Sequence, residues 1–428
     1  MYNEESLKKL GIYDLRKLLR SMGGTPGNKK VSELVEEILK IQTGEVVPKH
    51  NAKGRKAKST VGEVFYGKDV KESKNGSKSD SVKGVFDPLD DGSGLIYTDD
   101  YNMNQSVFVS KTIVCDYGLE KGDYVVGVCE KDADDKNFLK HMQKINDVVA
   151  NKFQRLDFYD GYEAIYPDKM LNLGNNGDLS LRLVDLFAPI GLGQRSVIVG
   201  DKKEGKTTLL NNILTQAKIA DPEVYTIALL LAARPEDVAM YKKSSRPDQV
   251  AYVSTDEPES RFIAVAELVL TTAKRLVDAG KKVILAVDSL SYLYKIYAEV
   301  SAGGKAEAAR LIKKYIMSAK NTEGRGNLGI VCTFAKTCEI LEEVEEIANN
   351  VINLTTDYDI DVFPLIDAVN SETVNDFYLK GKEESNFSKN LKRKMLKGEI
   401  KYKDVISALE KTPANAQFIA DFNTYFGK

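Results

Sequence analysis

The stretch most indicative of chemistry is a glycine-bounded loop at residues 200–207. It reads Gly-Asp-Lys-Lys-Glu-Gly-Lys-Thr, which fits the phosphate-loop pattern G-x-x-x-x-G-K-[ST]. A β-branched run at residues 196–199 precedes it, and a helical stripe of leucine and isoleucine follows it. In this setting backbone N–H groups surround phosphates, Lys206 neutralises β- and γ-phosphate charge, and Thr207 offers a hydroxyl to Mg²⁺. The loop therefore predicts a site for a nucleoside triphosphate with Mg²⁺.

A second apolar strand supplies the group expected to complete the metal site. Residues 281–287 read Lys-Lys-Val-Ile-Leu-Ala-Val and lead into Asp288. A strand-ending Asp after a phosphate loop is typical of the second metal-holding motif of such proteins, so Thr207 and Asp288 are the predicted Mg²⁺ ligands. The predicted nucleotide-contacting residues are Gly200, Asp201, Lys202, Lys203, Glu204, Gly205, Lys206, Thr207, Thr208 and Arg234.

The overall composition limits the class of protein to which these motifs belong. Of the 428 residues, 43% are hydrophobic and 29% charged, which is typical of folded globular proteins. No apolar run approaches the roughly 20 residues of a membrane-spanning helix, and the N-terminus lacks the apolar core of a signal peptide, so we expect a cytoplasmic protein without membrane contact. Because 61 Lys and Arg face 63 Asp and Glu, any nucleic-acid binding has to be local. Four scattered cysteines and two histidines argue against a zinc site or a disulfide framework.

Four segments differ in their residue patterns. Residues 1–45 carry two amphipathic helical patterns and predict a small helical module. Residues 46–81 are rich in Lys, Gly, Ser and Asn and predict a flexible basic linker. Residues 82–148 contain short strands and turns, which predict a small cold-shock/OB-like barrel. Residues 149–428 alternate apolar strands with amphipathic helices, the pattern of an α/β domain with a parallel sheet.

Several longer stretches are shared with one family. They are DLFAPIGLGQRSVIVGDKKEGKTTLLNNI, ARPEDV, STDEPESRFIAVAELVLTTAKRLV and VFPLID near Phe363. Through them, and through the order of its segments, the sequence closely resembles the bacterial transcription termination factor Rho family. The resemblance implies an α/β fold with a RecA-like P-loop NTPase domain, preceded by a cold-shock/OB-like barrel and a helical N-terminal module. It also implies a ring-shaped, ATP-driven RNA translocase.

The sequence departs from this family at positions that carry the chemistry. In the family, the strand after the phosphate loop ends in Asp-Glu-Arg-Pro, whose Glu polarises the attacking water, and Ala233 takes its place here. The family's arginine before Val-Phe-Pro reaches into the neighbouring subunit's site, and here that residue is Asp361. A general base contributes a factor of about 10²–10⁴ to the rate and an arginine finger about 10³–10⁵. Because both positions are substituted here, no catalytic residue is assigned. We expect ATP to bind and hydrolysis to be weak or absent.

Other charged positions near these motifs bear on that expectation. Glu204 adds a negative charge to the phosphate loop where the family usually has a small residue. Glu236, Asp237 and Arg325 are available to replace the missing groups, although nothing in their spacing favours them.

The expected RNA contacts are reduced as well. The family's barrel carries Gly-Phe-Gly-Phe, whose rings stack on bases, whereas residues 92–95 read Gly-Ser-Gly-Leu. Stacking contributes about 1–3 kcal/mol per base, so losing two rings weakens single-strand binding by about 2–6 kcal/mol. Phe108 matches a third aromatic position, and Tyr97 and Tyr101 are candidates to compensate or, alternatively, half-buried strand residues. The family grips RNA in the ring channel with two loops, and the second of them corresponds here to residues 336–346, which are strongly acidic. Because carboxylates repel a phosphate backbone, Lys305 and Lys336 are the remaining candidate channel contacts.

These observations predict a Rho-like, ATP-binding and RNA-binding ring protein that acts in transcription termination or its regulation. One alternative is an active ATP-dependent RNA translocase with relocated catalytic groups. A second is a non-hydrolysing assembly or interaction protein that modulates a conventional Rho. The expected partners are single-stranded RNA, bound weakly, further copies of the chain or of Rho in a ring, and RNA polymerase.

Overall fold

The structure, a computed structural model, describes residues 15, 19, 29–42, 80–98, 101, 106–132, 135–155, 159–357 and 359–427. The chain divides into two compact units, Met1–Asn75 and Gly76–Lys428. The predicted linker at 46–81 lies outside the described residues, apart from Asp80 and Ser81 at the start of a strand.

In the first unit, helix α1 (Val31–Gln42) covers the second of the two predicted helical patterns. Most of the first pattern lies outside the described residues. The apolar face of α1 contributes to a small buried cluster, which consists of Leu15, Leu19, Leu34, Val35 and Ile38.

The second unit begins with a small β-barrel, as the sequence predicts. Its elements are β1 (Asp80–Pro88), β2 (Gly94–Thr98), β3 (Val107–Val109), α2 (Lys111–Tyr117), β4 (Tyr124–Lys131), β5 (Asn137–Ile145) and β6 (Val148–Val149). The strands pair in the order β3-β2-β1-β4-β5-β6, and a parallel contact between β3 and β5, Phe108 opposite Phe138, closes the barrel. Alternate residues of β4 are buried, because one face of each strand lines the apolar interior.

The remaining elements form the α/β domain. Its strands are β7 (Ala164–Ile165), β8 (Arg195–Gly200), β9 (Val224–Ala233), β10 (Gln249–Ser254), β11 (Lys282–Asp288), β12 (Asn321–Thr322), β13 (Asn327–Ala335), β14 (Asn350–Thr355), β15 (Leu365–Ile366) and β16 (Glu372–Thr373). Its helices are α3 (Leu179–Phe187), α4 (Lys206–Ala220), α5 (Pro235–Lys243), α6 (Glu259–Asp278), α7 (Leu290–Val300), α8 (Gly304–Ile316), α9 (Leu341–Ile347), α10 (Phe377–Leu396), α11 (Tyr402–Glu410), α12 (Asn415–Ala420) and α13 (Phe422–Phe426). Short 3₁₀ turns span Ala150–Lys152, Tyr159–Gly161 and Leu173–Asn176.

The order of the strands determines which loops meet at the edge of the sheet. The main sheet runs β10-β9-β11-β13-β8-β14-β15, with β16 also paired to β14. The pairings from β10 through β14 are parallel. Consequently the residues that follow β8, β13 and β11 emerge side by side at the carboxyl edge, where ligands bind in open α/β sheets.

Apolar clusters cover both faces of the sheet, as expected for a parallel sheet whose strands are buried on both sides. One cluster includes α3 and α4, together with the C-terminal helices α11 and α12. The other includes α6, α7 and α8. The domain is thus a three-layer RecA-like α/β domain, and the predicted fold class is confirmed. Among the described residues, no helix is both long and apolar enough to cross a membrane.

The barrel docks onto α6, so the barrel and the α/β domain share part of one core. Val85, Tyr97 and Tyr101 belong to the same buried cluster as the residues of α6. The Tyr101 hydroxyl donates to Gln249 Oε1 at 2.8 Å, and Gly122 approaches α6 so closely that a Cβ there would lie 2.7 Å from a Thr271 methyl carbon.

Candidate nucleotide-binding site

The loop between β8 and α4 has the geometry of a phosphate cradle. Gly205, at the N-terminal end of α4, has φ of 94°, a left-handed conformation that favours glycine. A Cβ at this position would lie 2.7 Å from Pro364 Cγ and 2.9 Å from Phe363 Cζ. The close approach of Pro364 and Phe363 therefore also requires glycine at position 205, and the start of α4 supplies backbone N–H groups of the kind that bind anions.

Lys206 and Glu204 hold the loop in its observed shape. Lys206 Nζ donates to the carbonyl oxygens of Gly200 at 2.8 Å and Asp201 at 2.7 Å. The Glu204 side chain is buried, and its Oε2 accepts the Asp201 N–H at 2.6 Å. Burial lowers the pKa of Lys206, and the nearby carboxylates of Asp288, Glu204 and Asp201 counteract that effect. The loop thus contains a cation available to phosphates and an internal carboxylate that competes for it.

The two predicted metal ligands lie next to each other. Thr207 Oγ1 donates to Asp288 Oδ2 at 2.5 Å, and Asp288 Oδ1 accepts from Thr333 Oγ1 at 2.6 Å. Thr333 lies on β13, so this strand orients the carboxylate from behind. Among the described residues, no three His, Cys, Asp or Glu side chains form a group that could hold a metal ion by themselves.

This donor set fits Mg²⁺ as it is bound together with a nucleotide. Mg²⁺ is usually held by one or two carboxylates plus substrate phosphates and water rather than by a protein cage. Asp288 and Thr207 supply one carboxylate and one hydroxyl at the N-terminal end of α4. These two residues would hold Mg²⁺, which when bound would neutralise phosphate charge, and Lys206 with the loop amides would hold the phosphates.

Helix α5 forms the wall of the site opposite Thr207. The Tyr241 side chain is fully buried, and its hydroxyl donates to Thr207 O at 3.4 Å. Asp237 lies one turn earlier on α5 and is half-buried. Burial raises the pKa of Asp237, and the charge of Asp288 raises it further. Asp237 therefore lies within the electrostatic field of the metal ligand.

Ala233 and Asp361, which are predicted to occupy the positions of the missing catalytic groups, lie on different elements. Ala233 is the last residue of β9 and is half-buried, and Arg234 is the exposed residue before α5. Ala232 has φ of 58°, and the register between β9 and β10 shifts at this point. Asp361 is exposed in the segment between β14 and β15. The side chains of Lys202 and Lys203 are exposed, whereas that of Thr208 on α4 is half-buried.

The three predicted RNA-stacking rings have different environments. Phe108 on β3 is 42% exposed, whereas Tyr97 and Tyr101 are 6% and 1% exposed. Tyr97 and Tyr101 are packed between the barrel and the α/β domain, where the Arg261 guanidinium lies 5.8 Å from the Tyr97 ring centroid and donates to Tyr101 O. This placement argues against a stacking role for the two tyrosines, because a buried ring offers no face to a base. Stacking by Phe108 stays a prediction.

The two predicted channel lysines are separated in the structure. Lys305 is exposed near the start of α8, and its Nζ lies 2.8 Å from Glu339 Oε1 in the acidic second loop. Lys336 instead contacts the phosphate loop, with its Nζ 3.0 Å from Glu204 Oε2 and 3.0 Å from Leu354 O. The predicted RNA contact of each lysine stays a prediction, and Lys336 is in addition part of the nucleotide site.

Several residues beside the phosphate loop were not predicted from the sequence as part of the nucleotide site. Phe363 is 63% exposed beside Gly205 and offers an aromatic face next to the phosphate loop. Thr333, Tyr241 and Lys336 come to the loop from three different elements. An exposed aromatic residue next to a proline was visible in VFPLID, but nothing local connects that segment with residues 200–207.

Comparisons with known proteins agree with this geometry. The ATP synthase alpha/beta family, nucleotide-binding domain, matches residues 180–315. Transcription termination factor Rho of Cereibacter sphaeroides is 31% identical over 369 residues, which cover 80% of this chain and 87% of that protein. Rho of Borreliella burgdorferi is 32% identical and is matched over 77% of this chain and 67% of its own length. Rho of Rhodopirellula baltica is 27% identical over 96% of this chain and 80% of that protein.

Solved structures of two ATPases are more distantly similar. One is a prototypical ATPase from the type III secretion system of pathogenic bacteria, with a TM-score of 0.47 and 17% identity over 58% of this chain and 84% of that one. Another is the assembled ATPase EscN from the enteropathogenic E. coli type III secretion system, with a TM-score of 0.48 and 17% identity over 61% of this chain and 73% of that one.

Proposed function

Because the chain belongs to the transcription termination factor Rho family, we propose that it forms a ring that binds Mg²⁺-ATP and single-stranded RNA. The proposed ring hydrolyses ATP slowly or not at all. Its α/β domain is a nucleotide-binding domain with an ATPase fold. The observation that carries the proposal is the contrast within one site. Lys206, Thr207 and Asp288 are assembled, while the positions of the base and of the donated arginine hold Ala233 and Asp361.

The binding half of the proposal rests on the phosphate loop. The left-handed Gly205, the start of α4 and the Thr207–Asp288 hydrogen bond supply the amides, the hydroxyl and the carboxylate that a Mg²⁺-nucleotide needs. The exposed Phe363 ring beside Gly205 supplies a stacking surface for the base. Isothermal titration with ATP, with and without Mg²⁺, tests this half. No heat of binding up to millimolar ligand would contradict it.

The chemical half rests on the two substituted positions. An alanine methyl group cannot orient water, and the Asp361 carboxylate would repel the γ-phosphate of a neighbouring subunit. Single-turnover hydrolysis with protein in excess over labelled ATP, with and without polypyrimidine RNA, measures the remaining rate. We expect a rate close to background under both conditions, and strong stimulation by RNA would contradict the proposal.

The RNA-binding part of the proposal, which is separate from the nucleotide site, rests on the barrel. Phe108 is exposed on β3, and the residue opposite it on the paired strand β2 is Leu95, which cannot stack on a base as an aromatic ring does. We expect weak, salt-dependent binding of single-stranded RNA. Filter binding at two salt concentrations tests it, and no retention at the lower salt would favour an assembly protein without an RNA role.

One observation favours an active RNA translocase as the second candidate function. Asp237 is half-buried on α5 and is electrostatically coupled to Asp288, so the site does contain a further acidic group near the metal ligand. If Asp237 served as the base, Asp237→Asn would abolish a measurable RNA-stimulated turnover. In a protein without such turnover, the same substitution would leave the single-turnover rate unchanged.

A third reading is that the protein modulates a conventional Rho by entering its ring. In a mixed ring, the exposed Asp361 would replace the arginine that serves an adjacent active site. The hydrolysis rate at each mixed interface would then fall by a factor of about 10³–10⁵, the contribution of an arginine finger. Titrating the protein into an RNA-stimulated Rho ATPase reaction tests this reading. Inhibition that Asp361→Arg relieves supports co-assembly, whereas unchanged turnover without co-elution opposes it. Co-purification with RNA polymerase would test the remaining predicted partner.

A further inference from the structure

Lys336 has a position in the sheet that its sequence context does not reveal. Strand β13 lies between β8, which leads into the phosphate loop, and β11, which ends in Asp288. The last residue of β13, Ala335, is in register with Gly200, the first residue of the loop. Lys336 therefore emerges at the carboxyl edge of the sheet directly beside the phosphate loop and on the side of the metal ligand.

Lys336 contacts the phosphate loop and strand β14, which pairs with β8. Its Nζ lies 3.1 and 3.0 Å from the two Glu204 carboxylate oxygens and 3.0 Å from Leu354 O. It also lies 3.7 Å from Asp201 Oδ2. Lys206 contacts the same loop through the carbonyl oxygens of Gly200 and Asp201. The ammonium groups of Lys206 and Lys336 thus both contact one short loop.

The Glu204 carboxylate contacts the same kinds of group, a loop N–H and a lysine, that a bound anion in this site would contact. It is buried in the loop, accepts the Asp201 N–H at 2.6 Å and pairs with Lys336. Loop amides and a lysine are the groups that bind phosphate oxygens in such loops. A nucleotide brings several negative charges to this loop, where Glu204 and Asp201 already carry two. Lys336 adds positive charge beside this loop, in addition to the loop's own Lys202, Lys203 and Lys206, and so favours binding of a triphosphate.

We propose that Lys336 is a nucleotide-binding residue that contacts the terminal phosphate of ATP. Its positive charge, supplied within one subunit, partly replaces the charge that the family's arginine supplies from the neighbouring subunit and that Asp361 does not supply. This inference rests on the proposed binding of Mg²⁺-ATP. Glu204 holds the lysine beside the loop until the phosphate is present. Because ADP lacks the terminal phosphate, Lys336 makes the site prefer ATP over ADP.

A double-mutant cycle separates this role from a purely structural one. Lys336→Met alone would leave the buried Glu204 carboxylate without its partner, and that unpaired charge would weaken the binding of any anion. The informative comparison is therefore between Glu204→Gln and the double variant Glu204→Gln with Lys336→Met. We expect the second protein to bind Mg²⁺-ATP about tenfold or more weakly than the first, with a much smaller change for Mg²⁺-ADP. Lys336→Arg should keep the preference for ATP.

Isothermal titration with both nucleotides measures these affinities, and thermal melting confirms that each variant is folded. Lys313→Met is the matched control, because Lys313 is an exposed lysine on α8 whose partner, Glu343, lies in the same acidic region. It should leave both affinities unchanged.

Three results would overturn the inference. Equal weakening of ATP and ADP would show that Lys336 only shapes the loop. Weaker binding of a labelled polypyrimidine RNA with an unchanged ATP-to-ADP ratio would show that Lys336 contacts RNA, as the sequence predicts. If the unmodified protein bound neither nucleotide, the proposed function would fail first and this inference with it.

Discussion

Restoring the two missing groups should restore chemistry only when both are present. The register of the sheet shows why position 233 suits a base. Asp288 is opposite Leu230 on β9, so Ala233 lies three residues, or about 10 Å, further along the strand from the metal ligand. That separation leaves room for a phosphate and a water molecule between Asp288 and a carboxylate at position 233. The half-buried, strand-terminal site also tolerates a longer side chain.

The expected magnitudes follow from the two roles. A general base contributes about 10²–10⁴ and a donated arginine about 10³–10⁵, and groups that act together are not additive. Ala233→Glu alone should therefore change the single-turnover rate by less than about tenfold, because no neighbouring subunit yet stabilises the charge that develops on the γ-phosphate. Ala233→Glu with Asp361→Arg should raise it by about 10³ or more. Because the arginine acts between subunits, the gain should grow with protein concentration as rings assemble.

The assay is single-turnover hydrolysis of labelled ATP in the presence of polypyrimidine RNA. Ala233→Gln with Asp361→Arg is the matched control, since glutamine has nearly the same shape as glutamate but is not a base. If this control hydrolysed ATP as fast as the glutamate protein, the base would not be the missing group. Turnover by the unmodified protein on the order of 1 s⁻¹ would refute the whole argument.

Three further predictions concern the nucleotide, RNA and pH. Lys206→Ala should abolish ATP binding in isothermal titration with little change in Tm, because its Nζ donates to two nearby loop carbonyls that water can satisfy. Phe108→Ala should cost about 1–3 kcal/mol of single-strand RNA affinity in filter binding, whereas Tyr101→Phe should lower Tm without changing that affinity, since its hydroxyl is buried against Gln249. Burial raises the pKa of Asp278 to about 6, so the folded state binds this proton more tightly than the unfolded chain and wild-type stability falls as pH rises through that value. Asp278→Asn should therefore raise Tm most above pH 6, with the gain fading toward roughly pH 4, the ordinary carboxyl range.

The phosphate site could be predicted because its components are close together in the chain. A strand, eight loop residues and a helix follow one another without interruption in the sequence, and the motif itself dictates their geometry. Asp288 could be predicted from a strand that ends in a carboxylate. Its hydrogen bond to Thr207, 81 residues away, depends on the position of β11 in the sheet.

Residues that reach a site through tertiary packing could not be predicted. Lys336 follows β13 and precedes an acidic stretch, so its neighbours indicate a channel loop, yet its contact with Glu204 spans 132 residues. Likewise, the sequence predicts Tyr97 and Tyr101 either as RNA-stacking residues or as half-buried strand residues of a barrel. Their burial results from docking onto α6, for example through Arg261, 160 residues from Tyr101. Local periodicity carries no information about such pairings.

The docking of the barrel onto α6 makes the two domains one mechanical body. Val85 and Tyr97 lie in the same apolar cluster as α6, and the Arg275–Glu120 ion pair ties a barrel turn to that helix. Detaching the barrel would expose these apolar side chains to water, so calorimetry should record a single melting transition for residues 80–427 rather than two. A force that bound RNA exerts on the barrel at Phe108 would then be transmitted directly to the α/β domain, because the two domains do not move independently.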